Sequence, residues 1–179
     1  MDKTLCFRSK IILSASKWLL VTLQAVLLLI SCSPDKKGEV RIIFTGDILL
    51  SRNVRLEIEQ TNANPWGNLD SRLKSADLVV GNLEGAIGIP SQQMDSTSKA
   101  IIFDIPKTYL TLIREAGFNA LTLENNHSYD LGAKNKDSTI KEVNKIGIQA
   151  VSLNNSPRFF TINKNVISIV AVNTVPDLE

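Results

Sequence analysis

Hydrophobic positions along this chain fall into short runs separated by polar clusters, and the period inside each run predicts the element it forms. Val40 to Phe44 is a mostly β-branched and aromatic run with one charge. It predicts a buried strand, and Thr45-Gly46-Asp47 a turn at its C-terminal end, with Asp47 at the strand mouth. Arg52 to Gln60 is compatible with a helix, which Pro65 and Gly67 separate from a second short helix near Leu69 to Ser75. Asp77 to Gly81 repeats the strand pattern and again runs into polar residues, Asn82-Leu83-Glu84-Gly85. Residues 88–98 are polar and turn-rich, the composition of a long surface loop. Ala100 to Phe103 predicts a third strand, and Pro106 suits the first turn of a helix running to Ala116 and closed by Gly117. Asn119 to Leu123 predicts a fourth strand leading into Glu124-Asn125-Asn126-His127. Ile140, Val143 and Ile146 mark one face of a further helix closed by Gly147, and Ile148 to Leu153 predicts a fifth strand. Phe159 to Ile162 and Val166 to Val172 flank Asn163-Lys164-Asn165 as a hairpin.

Strands alternating with helices predict an α/β layered domain with an at least partly parallel sheet. Sites in such sheets form outside the carboxyl ends of the strands. Three polar clusters follow three predicted strands, so they can converge although about eighty residues separate the first from the last.

The N-terminal residues follow a different pattern. Lys3, Arg8, Lys10 and Lys17 precede an apolar run from Trp18 to Ile30, too short for a permanent spanning helix and built like an export signal. The run ends in Leu29-Ile30-Ser31-Cys32, which resembles the lipobox of bacterial lipoproteins. That resemblance implies cleavage after Ser31, acylation of Cys32 and an envelope location on the outer side of a membrane. Residues 33–39 are polar and aperiodic, a tether to a domain that occupies residues 40–179. Four of the 20 basic residues and one of the 18 acidic ones lie in the signal, which leaves the mature chain at a net charge of −1. This balance gives no basis for binding nucleic acid. No cysteine follows Cys32, which excludes disulfides and cysteine-ligated metals from the mature domain.

Asp47, Asn82, Glu84, Asn126, His127 and Asp130 make a set of hard oxygen donors with one imidazole, the only one in the chain. Such donors suit divalent Mn, Mg, Fe or Zn, and a metal there activates water while an imidazole protonates a leaving group. Each residue also has a local reading. Asp47 suits a turn, and Asn125 and Asn126 suit helix caps for the segment beyond.

Thr45-Gly46-Asp47 with Arg52, Gly81-Asn82-Leu83-Glu84-Gly85, Ala116-Gly117-Phe118, and Asn125-Asn126-His127-x-x-Asp130-x-Gly132 resemble, in order and spacing, the bacterial capsule-synthesis protein CapA family, also called the poly-gamma-glutamate synthesis domain. The resemblance runs from about Arg41 to the end of the chain. It implies a layered α/β sandwich similar to the calcineurin-like metallophosphatases and a role with an anionic envelope polymer, alongside other capsule-synthesis proteins. It also implies Asp47, Glu84 and Asn126 as metal ligands and His127 as the catalytic acid, with Asn82, Asn125 and Asp130 in support and Arg52 on an anion.

Three positions depart from the family pattern. Glu124 stands where a small residue is common, and Asn135 where a second glycine is common, a change that left-handed Asn backbone tolerates. Family members also continue to a His-x-Gly-x-Glu motif, whereas this chain has no second histidine before Glu179. A C-terminally truncated sandwich is therefore expected, with Val166 to Val172 near an unpaired edge. The implied activity is hydrolysis of phosphoester-type bonds; the alternatives are a non-catalytic polymer-binding or assembly subunit, or an inactive gene fragment.

Overall fold

The structure is a computed structural model that describes residues 38–89 and 101–175. The export signal, Cys32, the tether up to Lys37 and most of the predicted 88–98 loop lie outside the described residues. No helix of the described residues is long and apolar enough to cross a membrane.

Four strands form a parallel sheet: β1 (Ile42–Ile48), β2 (Leu78–Leu83), β5 (Ala120–Thr122) and β6 (Gln149–Val151), in the order β1-β2-β5-β6. The connections carry α1 (Arg52–Thr61), a 3-10 turn (Gly67–Leu69), α2 (Asp70–Lys74), the short parallel pair β3 (Ala86–Ile87) and β4 (Asp104–Ile105), α3 (Tyr109–Ala116) and α4 (Ala133–Lys145). A hairpin, β7 (Arg158–Ile162) and β8 (Asn165–Ile169), ends the fold.

Alternation along the strands sorts the side chains onto two faces. Val79, Leu83, Leu121 and Ala150 pack with Leu73, Leu110, Ile113 and Val143 of the helices in one core. Leu78, Val80, Ala120 and Val151 meet Ile169 and Ala171 in a second, with Phe160, Ile162 and Ile167 of the hairpin packed against it. The described residues thus form three layers: helices, parallel sheet and hairpin. The expected α/β sandwich is present. The hairpin turns through Asn163 and Lys164 at φ 48° and 68°, both left-handed, the pair of conformations that joins two-residue hairpins without splaying their strands.

Several elements differ from the expectation. Thr45-Gly46-Asp47 does not leave the sheet: β1 continues to Ile48 past a register shift between Phe44 and Asp47, and Gly46 takes φ 81° there. Of the run from Ala100 to Phe103 the described part, Ile101 to Phe103, is not a strand, because pairing with β3 begins only at Asp104. Asn135 lies inside α4, so no left-handed backbone is needed there. Its side-chain amide instead donates to the carbonyl of Ile87 at 3.0 Å.

Gly81 sits in the middle of the sheet, where a Cβ would lie 2.4 Å from Ile48 Cδ1 and 2.9 Å from Phe118 Cε1. Gly81→Ala is therefore expected to lower unfolding stability by about 1–3 kcal/mol through overpacking. Urea denaturation followed by circular dichroism measures it, and an unchanged midpoint would mean that the sheet and Phe118 separate freely.

Candidate functional site

The cluster is organised around the carboxamide of Asn82, at the C-terminal end of β2. Asn82 lies on the same face as Leu78 and Val80, beyond the part of the sheet that the hairpin cluster covers. Parallel register sets Asp47 on one side of it and Thr122 on the other. Its Nδ2 donates to Asp47 Oδ1 at 2.8 Å and to Glu84 Oε2 at 2.7 Å. Its Oδ1 accepts from Thr122 Oγ1 at 3.2 Å and from Asn125 Nδ2 at 3.0 Å. Both hydrogens and both lone pairs are used, so the direction of the amide is determined by its neighbours.

Asn125 extends this network into the next loop. Its Nδ2 also donates to the carbonyl of Leu83 at 2.9 Å, and its Oδ1 accepts the backbone N–H of His127 at 3.0 Å. The Ser128 hydroxyl donates to the carbonyl of Leu123 and accepts from the backbone N–H of Asn125. Asn125 is buried and closes this turn; it does not cap a helix, since α4 begins only at Ala133 with Gly132 at its cap. Asn126 is exposed in the same turn. Glu124 is buried in an ion pair with Lys136 at 3.1 Å and accepts the N–H of Leu153 at 2.8 Å, which accounts for a charge at a position where a small residue was expected.

His127 is held from two sides. Its Nδ1 lies 2.8 Å from Asp130 Oδ2, and the Asp130 side chain is fully buried. The backbone N–H of Phe103 donates to the same oxygen at 2.6 Å, while the Phe103 ring stacks on the imidazole with centroids 4.0 Å apart and planes at 28°. A carboxylate only accepts, so the proton of a neutral His127 belongs on Nδ1 and Nε2 is left for chemistry. Nε2 lies 3.9 Å from Glu84 Oε1. Gly85 makes the approach of Phe103 possible: it has φ 135°, and a Cβ there would stand 2.5 Å from the Phe103 carbonyl.

The fold therefore brings Asp47, Asn82, Glu84, Asn125, His127 and Asp130 together at the strand ends. Arg52 is exposed at the start of α1 with φ 50°, and none of these bonds involves it. Thr122, Ser128 and Phe103 were not anticipated. Thr122 follows from the β2–β5 register, and Ser128 from its place one residue after the Asn-Asn-His run. Nothing local to Phe103 signals its stacking.

Residues 41–175 match the family model described as bacterial capsule synthesis protein PGA_cap. The chain belongs to this capsule-synthesis family. It is 29% identical over 136 residues to the capsule biosynthesis protein CapA of Bacillus anthracis, an alignment covering 73% of this chain and 31% of that protein. The chain thus spans about a third of the length of that CapA. All the clustered residues fall inside the region matched by the PGA_cap family.

Within this CapA-like cluster the electrostatics centre on Glu84. Burial, the largest cause, pushes its carboxyl above the ordinary range; the hydrogen bond from Asn82 opposes this, and the charge of Asp47 adds to it. Asn82 engages Asp47 through Oδ1 and Glu84 through Oε2, so Oδ2 of Asp47 and Oε1 of Glu84 are the oxygens that a cation would use. Among the described residues no group of three or more His, Cys, Asp or Glu side chains is arranged to hold a metal ion. A ligand set here would need an amide such as that of Asn126.

A raised folded-state pKa favours folding below the unfolded carboxyl value and loses that contribution as pH rises through the folded value. At neutral pH the ionised Glu84 is thus a cost to the fold. Glu84→Gln is expected to raise the thermal midpoint at pH 7 in the presence of a chelator, with the gain shrinking as pH falls through the raised folded-state value and gone below the unfolded value of about 4.3. Melting curves of both proteins from pH 4 to 8 check the sign; a variant less stable than the parent at pH 7 contradicts it.

Proposed function

We propose that this chain is a lipid-anchored envelope protein, held through Cys32, that acts in capsule biosynthesis by hydrolysing phosphoester-type bonds of an anionic polymer. The observation that carries the reading is the His127 imidazole, stacked and hydrogen-bonded so that Nε2 stands beside the partly buried Glu84 carboxylate at the strand ends. Family membership supports the capsule role, and similarity to the capsule biosynthesis protein CapA of Bacillus anthracis supports biosynthesis as its context. Poly-gamma-glutamate has a suitable charge but is joined by amide bonds, so it fits polymer binding rather than phosphoester hydrolysis.

On this reading Asp47, Glu84 and Asn126 hold a divalent ion, Mn, Mg, Fe or Zn. Bound there, the ion supplies Lewis acidity and lowers the pKa of water. Asn82 keeps the two carboxylates at a fixed separation. Asp130 holds the ring through Nδ1, so that a protonated His127 donates from Nε2 to the leaving oxygen. Titration calorimetry of the full chain with Mn²⁺ or Zn²⁺ is expected to show saturable binding that Asp47→Asn weakens by about tenfold or more. His127→Ala is expected to lower turnover by about 10²–10⁴-fold while leaving ion binding in place. Absence of any binding to either ion overturns the hydrolase reading.

One observation favours a second reading, a non-catalytic polymer-binding or assembly subunit. Asn82 already bridges Asp47 and Glu84 with N–H donors, as a purely structural cluster does. That reading predicts unchanged capsule output in a strain carrying His127→Ala, measured as capsule polymer per cell.

A further inference from the structure

The helical layer contains a cavity that shares no residue with the strand-end cluster. It has a volume of about 450 Å³ and lies among the C-terminal half of α1, the 3-10 turn, α2 and α3. Small-molecule sites typically occupy roughly 300–1,000 Å³. Its wall is apolar and aromatic, with Ile58, Trp66, Tyr109 and Leu112, and its polar lining includes Asn64 and Asp70.

Trp66 is immobilised from behind. Its Nε1–H donates to the carbonyl of Leu112 at 3.1 Å, and its ring packs on buried Phe118 with centroids 5.1 Å apart. An indole fixed in this way offers a preformed apolar surface with little ordering left to do on binding. Two polar atoms of wall residues, Tyr109 Oη and Asp70 Oδ1, are buried without a hydrogen-bond partner. The other Asp70 oxygen accepts from Asn64 Nδ2 at 2.9 Å and lies 3.9 Å from Lys74 Nζ. Both atoms are closed to water as the side chains stand, so a ligand reaches them only if Tyr109 and Asp70 turn toward the cavity.

We propose that this cavity binds a neutral sugar ring of a glycan. The ligand must combine an apolar face, for the indole and Leu112, with several hydroxyl groups around its edge, for Asp70, Asn64 and Tyr109. A pyranose has both. Charge argues against an anion, because Asp70 and Glu115 line the cavity against the single Lys74, which is already beside Asp70. The site thus differs in ligand class from the strand-end cluster, and it stands whether or not that cluster is a hydrolase.

The chain has two tryptophans, Trp18 and Trp66, so a full chain carrying Trp18→Phe reports on the cavity through one indole. Its fluorescence is titrated with N-acetylglucosamine and maltose oligomers, with glucosamine as a cation and with polyphosphate as an anion. A saturable change with a neutral oligosaccharide is expected at about millimolar concentration, the range of a small rigid contact. Asp70→Asn and Tyr109→Phe are each expected to weaken it about tenfold, and Tyr109→Phe to leave the melting midpoint unchanged or higher. Binding of glucosamine alone or of polyphosphate alone overturns the proposal, as does no response to any neutral sugar. Neutral-sugar binding that both variants leave intact also overturns it.

Discussion

The carboxamide of Asn82 has two hydrogens and two lone pairs, and the strand-end cluster uses all four. Through them β1, β5, the residue two beyond Asn82 and the Asn125 turn are held to the end of one strand. An aspartate there would present no donors to Asp47 and Glu84 and would set three carboxylates side by side. A glutamine would reach one carbon too far for the register between β1 and β5. The demand is met at low cost because the strand pairs already put Asp47 and Thr122 opposite Asn82. What remains is for the β1 bulge and Gly85 to admit the neighbours.

From that point outward the site is built contact by contact. Asn125 carries the order of the sheet into the turn, Asp130 and the Phe103 backbone carry it to His127, and Asn126 stands at the exposed tip. Among the described residues, the groups set against the carboxylates of Asp47 and Glu84 are the Asn82 amide and, at 3.9 Å from Glu84, the His127 imidazole. The buried cation Lys136 is paired with Glu124 and lies over the Tyr129 ring at 4.2 Å. Such an arrangement sacrifices stability at one end of the sheet, and the two apolar cores on either face of the strands offset it.

The parts legible in the sequence were those with a period or a fixed spacing. β-branched runs gave the strands of the main sheet, helical spacing gave α3 and α4, and Asn163-Lys164 gave the hairpin, because local sterics decide all of these. The three polar clusters were legible as strand-end residues for the same reason. Illegible were features set by pairing between distant segments. Thr45-Gly46-Asp47 has turn composition, yet β2 supplies partners that extend β1 through it. Ala100 to Phe103 has strand composition, yet β3 pairs with the chain only from Asp104, the residue after that run. Phe103 against His127 depends on the space that Gly85 leaves, a relation between residues with no common motif. Asn135 looked like a glycine substitute and is instead a helical residue that ties α4 to β3.

The hairpin turn has a further role at the other end of the sheet. Asn163 Nδ2 donates to the carbonyl of Glu39, and Asn165 Nδ2 to that of Gly38, across more than 120 residues of chain. The polypeptide therefore enters the domain at the N-terminal ends of the strands, clamped by the hairpin, whereas Asp47, Glu84 and His127 gather at the C-terminal ends. A seven-residue strand is about 23 Å long. The domain thus has a root and a crown, with the cluster displayed at the end remote from Gly38 and Glu39.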